Sequence, residues 1–434
     1  MNNQQFSVIP DTSNYWLKNA HVPVCLIESE LDISSQTREG LSLVDIEIKE
    51  GVIKQIVQSN GELPSLNNGD IPRVDLKGAM VWPCFVDMHT HLDKGHIWER
   101  SPNLDGSFNG ALDAGARDGE KYWNAEDIYR RMEFGLKCSY AHGTKAIRTH
   151  IDCFGEQANI SLEVFQTLQK QWEDRLILQP VSLVGGDYYL TQAGEKLANQ
   201  VADVGGILGG VPFMSSDVDN QLDRLFSLAK ERQLDLDLHT DENGDPNSRV
   251  LHKVAEKAIS YQFPGKIICG HCCSLAVQTP EKITETIKLV KEAGISIVSL
   301  PMCNLYLQNR QDNYTPRWRG VTLLHELKQQ GISVAIASDN CRDPFFGFGD
   351  HDVLEVFNMS VRIAHLDMPY GDWPCAVSKT PADLIGLPNV GRIRVGLPGD
   401  LILFKGRNFS ELLSRPQHDR VVLRNGLVLS LIHI

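Results

Sequence analysis

The sequence predicts an α/β fold: a (β/α)8 TIM-like barrel with a small β-sandwich domain built from both chain ends. Three observations predict it. Short apolar runs alternate with longer helical patterns through the middle of the chain, as βα units do. Most of those runs are continuously apolar rather than alternating, which fits strands covered on both faces. Both ends carry short strands with turn signals and no long helix. A chain of 434 residues is long for one simple domain and ordinary for a barrel with an accessory domain.

Eight runs read as barrel strands: Phe85–His91, Lys145–Asp152, Leu176–Val184, Gly206–Phe213, Leu234–Asp241, Lys266–His271, Ser296–Pro301 and Ser333–Asp339. Between them, Ala125–Ala141, Val218–Glu231, Pro246–Ser260 and Glu281–Ala293 set apolar residues among charged ones at helical spacing. Asn124 and Thr279 stand where a short polar side chain caps a first turn, and Gly294 and Gly331 where helices stop. At the ends, Val22–Glu28, Leu43–Glu47, Val52–Val57, Asp400–Phe404 and Arg420–Leu429 read as strands of one β domain. The expected division is residues 1–80 and 385–429 for that domain and 81–384 for the barrel. Ser430–Ile434 has no place in the pattern and reads as an extraneous tail.

Hydrophobic residues make up 42% and charged residues 22%, enough apolar surface for a large core. A net charge of −13 repels phosphates, so nucleic acid and anionic membranes are not expected partners. No stretch approaches the roughly 20 apolar residues of a membrane span. Met1–Ser13 is polar and lacks the basic start and apolar run of a secretory signal, so a cytoplasmic protein is expected. The ten cysteines are scattered through apolar runs and form no CxxC pair, as buried free thiols do. The adjacent Cys272 and Cys273 read as strand-end packing rather than soft-metal ligands.

Chemistry concentrates at strand ends. Asp87-Met88-His89-Thr90-His91 closes the first strand; residues two apart share a side, so both imidazoles can reach one cation. A lone HxH is weak evidence. His239-Thr240-Asp241-Glu242 closes the fifth strand, His271 the sixth, and Ser338-Asp339-Asn340 the eighth. Singly, His239 reads equally as a core histidine and Asp339 as a helix cap. Together they put His, Asp and Glu on the barrel face where such enzymes place their chemistry. Three imidazoles and a carboxylate suit one divalent metal ion, Zn2+ or Fe2+, and fit Ca2+ or Mg2+ poorly.

The string Phe85-Val86-Asp87-Met88-His89-Thr90-His91-Leu92-Asp93-Lys94 resembles the first-strand motif of the amidohydrolase superfamily. The chain is similar, more closely, to bacterial cytosine deaminase and its relatives, through Arg148–Asp152, His239–Glu242, Asn304–Arg310 with Arg319-Gly320-Val321, and Ser338-Asp339-Asn340 with Asp343-Pro344. The resemblance implies His89, His91, His239 and Asp339 as metal ligands, Glu242 as proton-shuttling acid and His271 as the group orienting the attacking water. Hydroxide formed at the metal would attack a ring carbon, and ammonia or an amine would leave. Binuclear relatives use a carboxylated lysine; Lys145 begins its strand, at the wrong face for that role.

Substrate-reading positions depart from cytosine deaminase. Gly185 stands where that enzyme has an edge-reading glutamine, Asn340 where it has an acidic residue, and Phe345 where it has tryptophan. The expected substrate is therefore a small nitrogen heterocycle other than cytosine, with Gly185 leaving room for a bulkier ring. Arg148 and His150 read as an internal polar network. The competing readings are an amidohydrolase of cyclic amides or N-alkylamino-heterocycles, and a non-catalytic scaffold that would have lost ligands. A homo-oligomer is expected.

Overall fold

A computed structural model describes residues 8–28, 35–60 and 71–429; the tail Ser430–Ile434 lies outside the described residues. Two compact units emerge. One comprises Asp87–Cys138 and Ala146–Ala364; the other takes the chain up to Val86, Ser139–Lys145 and everything from His365.

The larger unit holds parallel sheet strands, here numbered β1 (Phe85–Thr90), β2 (Thr144–Asp152), β3 (Ile177–Leu183), β4 (Leu208–Gly210), β5 (Leu236–Thr240), β6 (Ile267–His271), β7 (Ser296–Ser299) and β8 (Val334–Ile336). β1, β2 and β3 form one sheet in that order and β4 to β8 another, also in chain order. Single parallel bridges join Val181 to Ile207, Gly185 to Val211, and Thr90 to Asp339. Helices follow the strands, as parallel connections require. Val218–Arg232 buries Val218, Leu222, Leu225, Phe226 and Ala229, one stripe at helical period.

β4 is shorter than its apolar run because side chains replace ladder bonds there. Gly209 N donates to Ser182 Oγ at 3.1 Å, and Tyr189 Oη donates to the Gly209 carbonyl at 2.5 Å. β8 stops early because its continuation bonds β1 instead: Asp339 N donates to the His89 carbonyl at 2.8 Å, and His91 N to the Asp339 carbonyl at 3.2 Å. The cap reading holds: Asn124 Oδ1 accepts from Asp127 N at 3.1 Å and Thr279 Oγ1 from Lys282 N at 3.5 Å. The helix expected from Pro246 begins at Val250, since its first turn is fixed by a residue far upstream. Asp241 Oδ1 accepts from Val250 N and Oδ2 from Leu251 N, both at 2.9 Å, and Ser248 Oγ donates to Oδ1 at 2.6 Å.

In the other unit, strands Val52–Gln58, Leu41–Lys49, Tyr15–Pro23 and Arg73–Asp75 form one sheet in that order. Val81–Pro83 pairs antiparallel with Leu401–Leu403, which pairs in turn with Val421–Arg424, so strands from the two chain ends share a sheet. One core unites the sheets: Leu17, Val22, Ile46 and Ile56 pack with Leu401, Leu403 and Leu423. His365–Leu384 groups here through polar anchors, Lys379 Nζ lying 2.7 Å from Glu28 Oε1 and Cys375 Sγ donating to the Cys25 carbonyl at 3.2 Å. Lys145 Nζ meets Asp400 Oδ2 at 3.0 Å. Among the described residues, no helix is long and apolar enough to cross a membrane.

Asp241 thus caps a helix from inside the larger unit. Asp241→Ala removes three acceptor contacts at a buried N-terminus and should lower unfolding free energy by about 2 kcal/mol, read from denaturant titration beside the parent.

Candidate active site

His89 lies within β1, His91 just beyond it, His239 within β5, and Asp339 past the end of β8. All four side chains are buried. His91 Nε2 is 3.1 Å and His89 Nε2 3.7 Å from Asp339 Oδ1, and His239 Nε2 is 3.4 Å from His91 Nε2. One donor atom from each of the four falls within 4.8 Å of the others. Donors about 2.1 Å from a tetrahedral cation stand about 3.4 Å apart, so this spacing suits a single small metal ion.

The electrostatics agree. Burial, then neighbouring positive charge, pushes His89, His91 and His239 well below the usual imidazole range, so all three are neutral. Among the described residues, His89 Nε2 has no hydrogen-bond partner, and Asp339 has the weak Cys303 thiol beside it. Lone pairs turned on one another in a buried space repel unless a cation lies among them. The donor set therefore fits a zinc- or iron-class ion.

Beside it stand Glu242, His271 and Asp339, with donor atoms again within 4.8 Å of one another. Glu242 Oε1 is 3.4 Å from His271 Nδ1. Asn304, on the short helix Pro301–Leu307, directs Nδ2 to His271 Nδ1 at 3.0 Å and to Glu242 Oε1 at 3.4 Å. An amide N–H on Nδ1 leaves the imidazole proton on Nε2, which has no protein partner. Burial holds His271 down at about 4; burial and then the Asp339 charge raise the Glu242 carboxyl well above its ordinary range.

Lys94 was not singled out by sequence, although it ends the first-strand motif. Its Nζ donates to Asp152 Oδ1 at 2.8 Å and lies 5.5 Å from the Phe345 ring centroid. Burial disfavours the ammonium, but Asp152 and Asp93 hold it above its ordinary value. Asp343 ties together two expected substrate contacts: Asn340 Nδ2 donates to its Oδ2 at 2.7 Å, and Phe345 N to its Oδ1 at 2.8 Å. Gly185 opens the turn after β3, and a Cβ there would fall 2.6 Å from Asp187 Oδ1. The place of a Gly185 Cβ is thus met by the end of the exposed Asp187 side chain. The expected network exists: Arg148 Nη1 donates to Asp237 Oδ2 at 2.8 Å, and the His150 ring packs on His89 with centroids 3.9 Å apart. Asn304 opens the Asn304–Arg310 stretch but carried no assigned role.

Residues 133–429 match the profile of the amidohydrolase family. Pterin deaminase of Rhizobium rhizogenes is 48% identical over 421 residues, 97% of this chain and 94% of that protein. N-isopropylammelide isopropyl amidohydrolase of Pseudomonas sp. is 27% identical over 369 residues, 82% of this chain and 87% of that one. Among solved structures, 5-methylcytosine deaminase from Klebsiella pneumoniae, liganded with 5-fluorocytosine, superposes with a TM-score of 0.80 at 24% identity. The superposition covers 96% of this chain and 97% of that one, a likeness of fold.

His89→Ala and His239→Ala should each lose about one equivalent of zinc or iron per chain relative to the parent, measured by elemental analysis after dialysis. Unchanged content in both would refute the ligand set.

Proposed function

Because the chain belongs to the amidohydrolase family, we propose that it hydrolytically deaminates a fused amino-heterocycle of the pterin class. The observation that carries the chemistry is the buried cluster of three neutral histidines and Asp339, with Glu242 at its edge. The 48% identity to a pterin deaminase over nearly the whole chain supports the substrate class.

His89, His91, His239 and Asp339 hold the cation, zinc or iron by donor type. Once bound, the cation acidifies water from a pKa of about 16 to about 7, so a nucleophile exists at neutral pH. The other steps belong to this chain. Asp339 takes up a proton from the attacking water, and His271 orients that water through its Nε2–H. Glu242, protonated because it is buried, gives its proton to the ring nitrogen beside the attacked carbon. A C–O bond forms; as the exocyclic C–N bond breaks, Asp339 gives its proton to the departing amino group, which leaves as ammonia, and the new hydroxyl's proton returns to Glu242 as the ring carbonyl forms. Phe345 supplies a face for the ring, and Asn340, oriented by Asp343, reads its edge together with the backbone at Gly185.

The 27% identity to an N-isopropylammelide hydrolase favours a second reading, release of an alkylamine from a triazine by the same groups. The fold we propose is a closed (β/α)8 barrel with a sandwich of the end-derived sheets, at boundaries near residues 80 and 385. The bridges at Val181, Gly185 and Thr90 support closure, and the shared core supports the sandwich. A cytoplasmic homo-oligomer is part of the same reading; ten free cysteines accord with a reducing compartment.

Two measurements test it. Ammonia release should give a kcat/KM for pterin at least about 10²-fold above that for cytosine, since an edge-reading site discriminates by up to about 10⁴–10⁵. A preference for cytosine would overturn the reading of Gly185 and Asn340. Glu242→Gln should keep its metal while kcat falls by about 10²–10⁴. Because burial raises the Glu242 carboxyl, its acid form persists to higher pH, and the alkaline limb of the parent's kcat profile should vanish in that variant.

A further inference from the structure

A second group of metal-binding side chains lies on the loops after β1 and β8, sharing no residue with the first. His96, Cys341 and His351 bring one donor atom each to within 4.8 Å of one another. His96 Nε2 and His351 Nε2 are 3.0 Å apart. The loops are held in register, His96 N donating to the Cys341 carbonyl at 3.1 Å and Trp98 N to the Arg342 carbonyl at 2.8 Å. Cys341 and His351 are buried, and His96 is half-buried.

Neighbouring residues make room for the three side chains. Gly135 sits inside the helix Ala125–Ala141, where glycine costs about 1 kcal/mol relative to alanine. A Cβ at Gly135 would fall 3.1 Å from His351 Nε2 and 2.9 Å from Leu92 Cδ2, so the ring's approach excludes a side chain there. Phe134, on the same helix, packs edge-on against His96 with centroids 4.8 Å apart. The backbone N–H of His351 hydrogen-bonds to the Cys341 sulfur, a donor that favours the thiolate.

We propose that His96, Cys341 and His351 form a second metal site that takes a zinc-class cation and clamps the loop after β1 to the loop after β8. Two imidazoles and a thiolate are a softer donor set than three imidazoles and a carboxylate, and select zinc or copper(I) over iron. Without metal, the facing nitrogens share one proton as an N–H···N bond. A cation replaces that proton and the thiol proton, and the nitrogens part from 3.0 Å towards about 3.4 Å. Burial keeps His96 low, at about 4, so no second proton competes at neutral pH. The fourth position falls to water or to Asp350, which hydrogen-bonds the neighbouring Cys138 thiol. The clamp lies next to functional groups: Lys94 precedes His96 by two residues, and Asn340 directly precedes Cys341.

The test exploits sulfur, which the first ligand set lacks. The full-length chain is stripped with chelator and titrated with Co2+, following the near-ultraviolet thiolate-to-cobalt charge-transfer band. The parent should take up about two equivalents and develop the band. Cys341→Ser should lose the band and one equivalent. His351→Gln should weaken cobalt binding at the same site at least about tenfold, and keeps the proposal testable should Cys341→Ser fail to fold. His89→Ala should keep the band while losing the other equivalent, which separates this site from the catalytic one. A parent with no thiolate band, a band that survives in Cys341→Ser, or a band lost in His89→Ala would overturn the proposal.

Discussion

Asp339 carries a carboxylate with almost no solvent exposure, its Oδ1 3.1 Å from His91 Nε2 and the weakly donating Cys303 thiol beside it. Removing a carboxylate from water without a partner costs several kcal/mol even after relaxation. Its three neighbours, His89, His91 and His239, are neutral and cannot supply the missing positive charge. A bound cation would balance the centre, and much of the surrounding geometry holds these groups in place for it. Backbone bonds between β1 and the end of β8 fix Asp339 against His89 and His91. Asp87, beneath them, accepts from Ser338 N at 3.1 Å and from Ser338 Oγ at 2.5 Å, locking the two strand ends at one height.

The strand ends also turn in an uncommon way. Asp241, His271 and Asp339 have φ of 52°, 66° and 67°, the left-handed region that side chains other than glycine seldom enter. Each residue ends or follows a strand and is held there by bonds beyond its own turn: Asp241 by two helix amides, Asp339 by the β1 backbone, and His271 by Asn304. Such conformations persist where the surroundings over-determine them, and they cluster at functional sites. Here the left-handed turn redirects the chain at the ends of β5, β6 and β8, where Glu242, His271 and Asp339 form one group.

Period and spacing made the skeleton and the metal cluster legible. Continuous apolar runs mark strands buried on both faces, and HxH at a strand end has one geometric consequence, two imidazoles on one side. Groups whose roles depend on partners distant in sequence were harder to read. Asn304 is an ordinary helical residue until the fold brings it 3.0 Å from His271, 33 positions away. Lys94 sits within the motif, but its meaning comes from Asp152, 58 residues on. The helix starting at Val250 was misjudged because Pro246 is a common first-turn residue, whereas the true cap, Asp241, lies outside the local window. Gly185 likewise suggested empty space, where the structure places the end of the exposed Asp187 side chain.

The Asp187 carboxylate stands beside Gly185 and is solvent-exposed. A glutamine side chain both donates and accepts, whereas a carboxylate only accepts. Lys94 places its ammonium near the Phe345 face, and Asp343 has spent its acceptors on Asn340, Phe345 and Phe346. Asp343 is pushed up to about 7 by burial, with the Asn340 hydrogen bond and the Lys94 charge opposing. One buried carboxylate, Asp343, thereby sets both the Asn340 amide, through its side chain, and the Phe345 ring, through its backbone N–H, so a change at Asp343 would disturb both positions at once.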